Sequence, residues 1–254
     1  MARARVAFVT GGGRGLGRAC ALRLARDGLA VAAGSRTEAE VRAVASEVTR
    51  SGGAAVAVRL DASDPESVNA AVESVESALG PVDVLVCAAG VSSSAKFLET
   101  PVEEWRRLLD LNLLGAVHCV RAVLPGMVER NFGRVVAIGS TASLEGAPYV
   151  SAYAASKHAL LGFVRALAAE TARKDISFNC VCPAFADTPM TDETVRRIAE
   201  KTGRSEEESR RAVEAMNPVG RLVRPEEVAE TVAWLAREES GAVSGQALVV
   251  GGAG

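Results

Sequence analysis

The stretch Arg5–Gly28, RVAFVTGGGRGLGRACALRLARDG, leaves a chain few choices of fold. A short apolar run, Arg5 to Thr10, breaks into glycines. The residues that follow repeat apolar side chains at Leu16, Ala19, Cys20, Leu22, Leu24 and Ala25, the spacing of a helix laid on a sheet. A glycine loop alone fits an ordinary turn. One that leaves a buried strand and opens a helix brings backbone N–H groups and a helix N-terminus to one point, where a pyrophosphate can bind. Gly11, Gly15 and Gly17 do not keep a G-x-G-x-x-G register, because Leu16 stands where the third glycine would; they fit T-G-x-x-x-G-x-G from Thr10.

The strand–helix unit then recurs. Apolar runs at Ala30–Ser35, Ala54–Leu60, Val82–Gly90, Gly133–Ser140, Ile176–Pro183 and Gln246–Val250 read as strands. Between them, Glu38–Arg50, Pro65–Leu79, Pro101 to about Glu129, Ser151 to about Arg173 and Pro225 to about Arg237 read as helices. Asp64 before Pro65 is a helix start, an N-cap with proline just inside. This alternation predicts an α/β chain, a single-domain Rossmann-type doubly wound parallel sheet with helices on both faces, over residues 1–254. Ligands in such sheets bind beyond the carboxyl ends of the strands. Gly11, Ser35, Asp61, Gly90, Ser140 and Pro183 all fall at that edge. The segment 191–216 breaks the pattern, being rich in charge with a thin apolar stripe. It reads as a substrate lid insert or as a solvated helical hairpin.

Two positions speak to the ligand. At the end of the second strand, about twenty residues past the loop, an acid would hold the ribose 2′-hydroxyl of NAD. This chain has Ser35 and Arg36 there, with Arg14 inside the loop. Two cations and no acid suit a 2′-phosphate, so NADP is expected and NAD less so. Farther on, Tyr153 and Lys157 are four apart and leave one face of a helix. An ammonium beside a phenol favours the phenolate, and such a group can exchange a proton with a carbonyl or alcohol oxygen. The chain has only two Tyr, and the other, Tyr149, has no cation at helical spacing. Ser140, at a strand end, can point its hydroxyl into the same cleft.

Composition excludes other classes. A net charge of −2, a pI of about 5.9 and 4% aromatic residues argue against nucleic acid. Five Cys, odd in number and mostly within apolar runs, read as small core residues of a reducing compartment. The two His, His118 and His158, form no metal-ligand spacing with them, so no metal is expected. The apolar run before the glycine loop is too short for a signal peptide, and no run is expected to span a membrane. A cytoplasmic protein is expected.

With T10-G-G-G-R-G-L-G17, Asp61, A-G at 89–90, Asn112, Ser140, Y153-A-A-S-K157 and P183-x-x-x-x-T188-P-M190 in place, the chain resembles the short-chain dehydrogenase/reductase family over essentially its whole length. The resemblance implies a catalytic set. Ser140 polarises a substrate carbonyl, Tyr153 passes the proton, Lys157 lowers the tyrosine pKa and binds the nicotinamide ribose, and Asn112 holds a water of the proton relay. It also implies coenzyme contacts at Gly11, Arg14, Gly15, Leu16, Gly17, Ser35, Arg36, Asp61, Ala62, Ala89, Gly90, Tyr153, Lys157, Pro183 and Thr188. Two departures stand out: Cys87-Ala88 where the family has two asparagines, and Ala184 where it has glycine after Pro183. The runs SKHALLGFVRALAAE and NPVGRLVRPEEVAETVAWL are similar to those of 3-oxoacyl thioester reductases and polyketide ketoreductases. Val91-Ser92-Ser93-Ser94 in place of a P-G-G element tilts the expectation to an NADPH-dependent reductase of 3-oxoacyl thioesters on ACP or CoA. A polyketide ketoreductase, a secondary alcohol or 3-hydroxyacyl-CoA dehydrogenase, and a silent dinucleotide-binding regulator are the alternatives. A homotetramer is the expected assembly, by resemblance and from the apolar faces of the helices carrying Asn112 and Tyr153.

Overall fold

Buried parallel strands must satisfy their backbone laterally, so their side chains are free to be apolar on both faces. That is the pattern of the computed structural model, which describes residues 3–252. Its strands are β1 (Val6–Thr10), β2 (Ala30–Ser35), β3 (Ala55–Arg59), β4 (Val82–Cys87), β5 (Gly133–Ile138), β6 (Ile176–Pro183) and β7 (Ala247–Val250). They lie parallel in the order β3-β2-β1-β4-β5-β6-β7. The winding reverses between β1 and β4, and a crevice opens at their carboxyl ends.

The helices are α1 (Gly15–Arg26), α2 (Glu38–Arg50), α3 (Pro65–Leu79), α4 (Val102–Leu109), α5 (Gly115–Arg130), α6 (Ser151–Glu170), α7 (Pro189–Thr202), α8 (Glu206–Met216) and α9 (Pro225–Leu235). One face of the sheet, with Phe8, Leu85 and Phe178, packs on α3, α5 and α6. The other, with Val9, Val86 and Val181, packs on α1, α2 and α9. Asp64 caps α3 as its sequence implied, its Oδ1 accepting from the Glu66 N–H at 3.0 Å.

Three sequence expectations change. The fourth strand stops at Cys87, and Ala88–Gly90 form a loop over the crevice. The helix expected over 101–129 is broken by a π-helical turn, Asp110–Leu114, between α4 and α5. The 29-residue stretch Val102–Arg130 is also long and apolar enough to cross a membrane, contrary to the expectation that no run would be. Its buried residues, Leu108, Ala116, Cys119, Val120, Val123 and Met127, are those of a core helix on a sheet.

The amino edge of the sheet, remote from the crevice, is held by charge. Asp83 is buried and accepts from both Nη atoms of Arg3, each at 2.7 Å, and from the Val6 N–H at 2.9 Å. Arg134, at the start of β5, is fully buried. Its Nε donates to the carbonyl of Arg237 (3.1 Å), Nη1 to those of Gly133 (3.0 Å) and Asp175 (2.9 Å), and Nη2 to that of Glu238 (3.0 Å). The same guanidinium pairs with the Asp175 carboxylate at 2.7 Å and lies 4.5 Å over the Phe132 ring.

Candidate active site

A cleft of about 1100 Å³ runs along the carboxyl ends of the strands. Ser140 and all fifteen positions expected to touch coenzyme line it: Gly11, Arg14, Gly15, Leu16, Gly17, Ser35, Arg36, Asp61, Ala62, Ala89, Gly90, Tyr153, Lys157, Pro183 and Thr188. Among the site residues named from sequence, Asn112 alone does not line it.

At one end the glycine loop fits a dinucleotide pyrophosphate. The first N–H groups of α1 have no intrahelical acceptors, Arg14 at the N-cap gives no side-chain cap, and the first turn holds no acid. The loop also cannot carry side chains. A Cβ on Gly17 would lie 2.2 Å from the Gly11 carbonyl oxygen, and one on Gly11, at φ +66°, would meet the Ala88–Ala89 backbone at 2.8–2.9 Å. Gly17→Ala is therefore expected to push α1 off the loop, costing ~1–3 kcal/mol of stability and weakening coenzyme binding. Thermal unfolding and a coenzyme titration check both.

The loss of the two asparagines at 87–88 is compensated by other donors and acceptors. Thr10 Oγ1 accepts from the Ala89 N–H at 3.3 Å and donates to the Val86 carbonyl at 3.4 Å. Asn112 Oδ1 accepts from the Val91 N–H at 2.9 Å, and its Nδ2 donates to the Val91 carbonyl and to Ser156 Oγ, both at 3.0 Å. The Asn112 amide is thus fully engaged, 2% exposed, and holds residues 90–91 against α6. It reaches them because the π turn bulges there, as such turns do at functional sites.

The catalytic candidates meet at the other end. Ser140 ends the run that leaves β5, and α6 carries Tyr153 and Lys157 one turn apart. Lys157 is buried, its Nζ donates to the Ile138 carbonyl at 2.9 Å, and it lies 5.9 Å from the centre of the Tyr153 ring. Burial pushes the Tyr153 phenol up, and a hydrogen bond with the Ser140 hydroxyl draws it partly back. Burial likewise pulls the Lys157 ammonium below its ordinary value. Of the protein groups around the phenol Ser140 draws it down most, and desolvation outweighs that pull.

The expected lid segment folds as a hairpin. α7 and α8 share a small core of Val195, Val213 and Leu222, with Gly203 at φ +71° closing α7. Of its cations, Arg197 and Lys201 line the cleft, whereas Arg196 and Arg204 do not. Two cleft residues were not assigned to the site from sequence. Tyr149, in the left-handed region at φ +68°, is 63% exposed and lines the cleft, as do Phe185, Met190 and Met216. Glu40 lines the glycine-loop end with Ser35 and Arg36. No sequence period marks either, since each comes to the cleft through tertiary packing.

Comparison with known proteins agrees with this geometry. Residues 5–199 match the family described as short chain dehydrogenase. The short-chain reductase NovJ of Streptomyces niveus is 38% identical over 97% of this chain and 92% of its own length. The 3-oxoacyl-[acyl-carrier-protein] reductase FabG of Escherichia coli is 32% identical over 98% and 96%. A crystal structure of a variant actinorhodin polyketide ketoreductase with NADPH superposes with a TM-score of 0.94 at 37% identity, covering 98% of this chain and 96% of that one. The chain belongs to the short-chain dehydrogenase family and is an NAD(P)-dependent oxidoreductase.

Proposed function

We propose that the protein is an NADPH-dependent ketoreductase that converts a 3-oxoacyl thioester, carried on ACP or CoA, to the 3-hydroxyacyl product. The observation that carries this reading is the convergence of Ser140, Tyr153 and Lys157 at one end of a cleft whose other end is an uncapped, glycine-built helix N-terminus flanked by Arg14 and Arg36. NADPH, held by the loop, Asp61, Ala89–Gly90 and Thr188, supplies the hydride. Ser140 donates a hydrogen bond to the ketone oxygen and Tyr153 gives it a proton as negative charge develops. Lys157, fixed by the Ile138 carbonyl, sets the tyrosine side chain and faces the ribose. Asn112 acts as a positioning residue through Val91 and Ser156. NADPH oxidation followed with acetoacetyl-CoA and with acyl-carrier-protein 3-oxoacyl thioesters tests the reading; turnover of neither would overturn it.

The pKa directions give a pH profile. A phenol held up by burial stays protonated through neutral pH, so ketone reduction should hold there and fall only in the alkaline range. The reverse oxidation, which needs phenolate, should rise with pH over the same range. Initial rates in both directions across pH check the sign.

The 2′-phosphate corner should favour NADP. Charge-assisted contacts contribute roughly 1.5–3 kcal/mol each, less where exposed, so Arg14 and Arg36 together are expected to give about a hundredfold preference in kcat/KM. The change Ser35→Asp with Arg36→Ile should reverse it. A wild type that uses both coenzymes equally would overturn the assignment.

At the mouth, Arg197 and Lys201 offer charge to the phosphates of a carrier arm. Neutralising both should raise KM for a CoA thioester and leave that for its N-acetylcysteamine analogue alone. The exposed apolar rim of Tyr149, Phe185, Met190 and Met216 favours a second reading, a polyketide ketoreductase acting on a larger cyclic substrate. Leu113, Val117, Phe163 and Leu167, half-buried on α5, α6 and the π turn, are the face we assign to a homotetramer, to be checked by light scattering.

A further inference from the structure

We propose that Glu40 is a second determinant of coenzyme choice, a counter-charge that weakens binding of the 2′-phosphate and so tempers the preference set by Arg14 and Arg36. The inference rests on the reading of this corner as the seat of the ribose 2′-position.

Glu40 is the third residue of α2, and its side chain leans back over the glycine loop. A Cβ added to Gly13 would meet Glu40 Cβ at 2.8 Å, Glu40 Oε2 at 3.0 Å and Ser35 Oγ at 3.2 Å. Gly13 has no positive φ, so the backbone does not require glycine there. The space a side chain at position 13 would take is filled by the glutamate. Glu38, one turn earlier in register with Arg42, is ion-paired to it. Among the described residues, Glu40 makes no ion pair within 4.0 Å, with Arg14, Arg36 or any other cation. Its charge therefore faces the same volume as Arg36 and Ser35 without being neutralised.

A carboxylate there has opposite effects on the two coenzymes. It repels a phosphate of nearly two negative charges, and it can accept a hydrogen bond from a free ribose hydroxyl. An acid in the first turn of a helix also favours the helix dipole. That role would affect stability but not discriminate between ligands, and it does not explain the fit against Gly13.

The test uses fragments, read by calorimetric titration of the whole protein. Glu40→Gln should tighten binding of 2′,5′-ADP about five- to tenfold at low ionic strength, with 5′-AMP unchanged or weaker. The gain should shrink at high salt. No change for 2′,5′-ADP, or an equal change for both fragments, would overturn the proposal. The wild-type preference between the two fragments reports separately on the NADP reading: a wild type that binds both alike, with a variant that prefers 2′,5′-ADP, would sink the reading and keep Glu40. In a second measurement, Gly13→Ala should lower the melting temperature when Glu40 is present and do so much less in a Glu40→Ala background. Equal penalties in both backgrounds would refute the placement of the side chain.

Discussion

Tyr153→Phe is expected to lower kcat by about 10²–10⁴-fold while leaving the dissociation constant for NADPH within a factor of about two. The ring packs as before and only the hydroxyl is lost, so the change isolates proton transfer from positioning. The pull that Ser140 exerts on the phenol goes with it, leaving that serine to polarise the ketone alone. Lys157→Ala should behave differently. It strips the Ile138 carbonyl of its 2.9 Å donor and empties the floor beneath the tyrosine, so coenzyme binding should weaken along with turnover. Single-turnover rates and a coenzyme titration on each variant separate the two. A Tyr153→Phe protein that kept more than a tenth of wild-type kcat would remove the phenol from the reaction.

Arg134→Met should destabilise the fold by about 3–5 kcal/mol, and by roughly 6–20 °C in melting temperature, without altering kcat in the protein that remains folded. Methionine fills much of the volume but leaves the carbonyls of Gly133, Asp175, Arg237 and Glu238 without their donors, and the Asp175 carboxylate without its partner. Those acceptors belong to three separate stretches of chain, so the guanidinium clamps the segment after α9 to the amino ends of β5 and β6. Lysine at 134 cannot reach in all these directions, and Arg134→Lys should recover only part of the loss. Urea unfolding with activity measured below the transition checks both halves of the expectation. A loss under about 1 kcal/mol for Arg134→Met would mean that water replaces the missing donors.

The architecture was legible because a buried parallel strand writes itself as an unbroken apolar run and a glycine loop has few other uses. Tyr153 and Lys157 were legible for a similar reason, one helical turn being a local distance. Contacts that join distant residues were not. DLNLL reads as ordinary helix, and nothing local shows that Asn112 will reach Val91, 21 residues earlier, through a π turn. Arg134 reads as a polar residue at a strand edge, yet it is fully buried, two of its acceptors supplied by residues about 100 positions away. The burial of the Tyr153 phenol is of the same kind: spacing shows a nearby cation but not how much water the fold removes.

The five residues of the π turn make the length of the chain, and not only its composition, part of the site. An α-helix advances about 100° per residue, so one residue added or lost rotates everything beyond it by that much. The π turn takes up one such residue, which is why Leu108 before it and Ala116, Cys119 and Val120 after it all face the interior. Deleting one residue between Asp110 and Leu114 would restore a regular α-helix with both halves of the apolar stripe still facing inward, but would collapse the bulge that carries Asn112 to Val91 and Ser156. A lineage can thus substitute side chains here far more freely than it can insert or delete them. Gaps should be tolerated instead in the exposed turn at Thr202–Ser205, which joins α7 to α8.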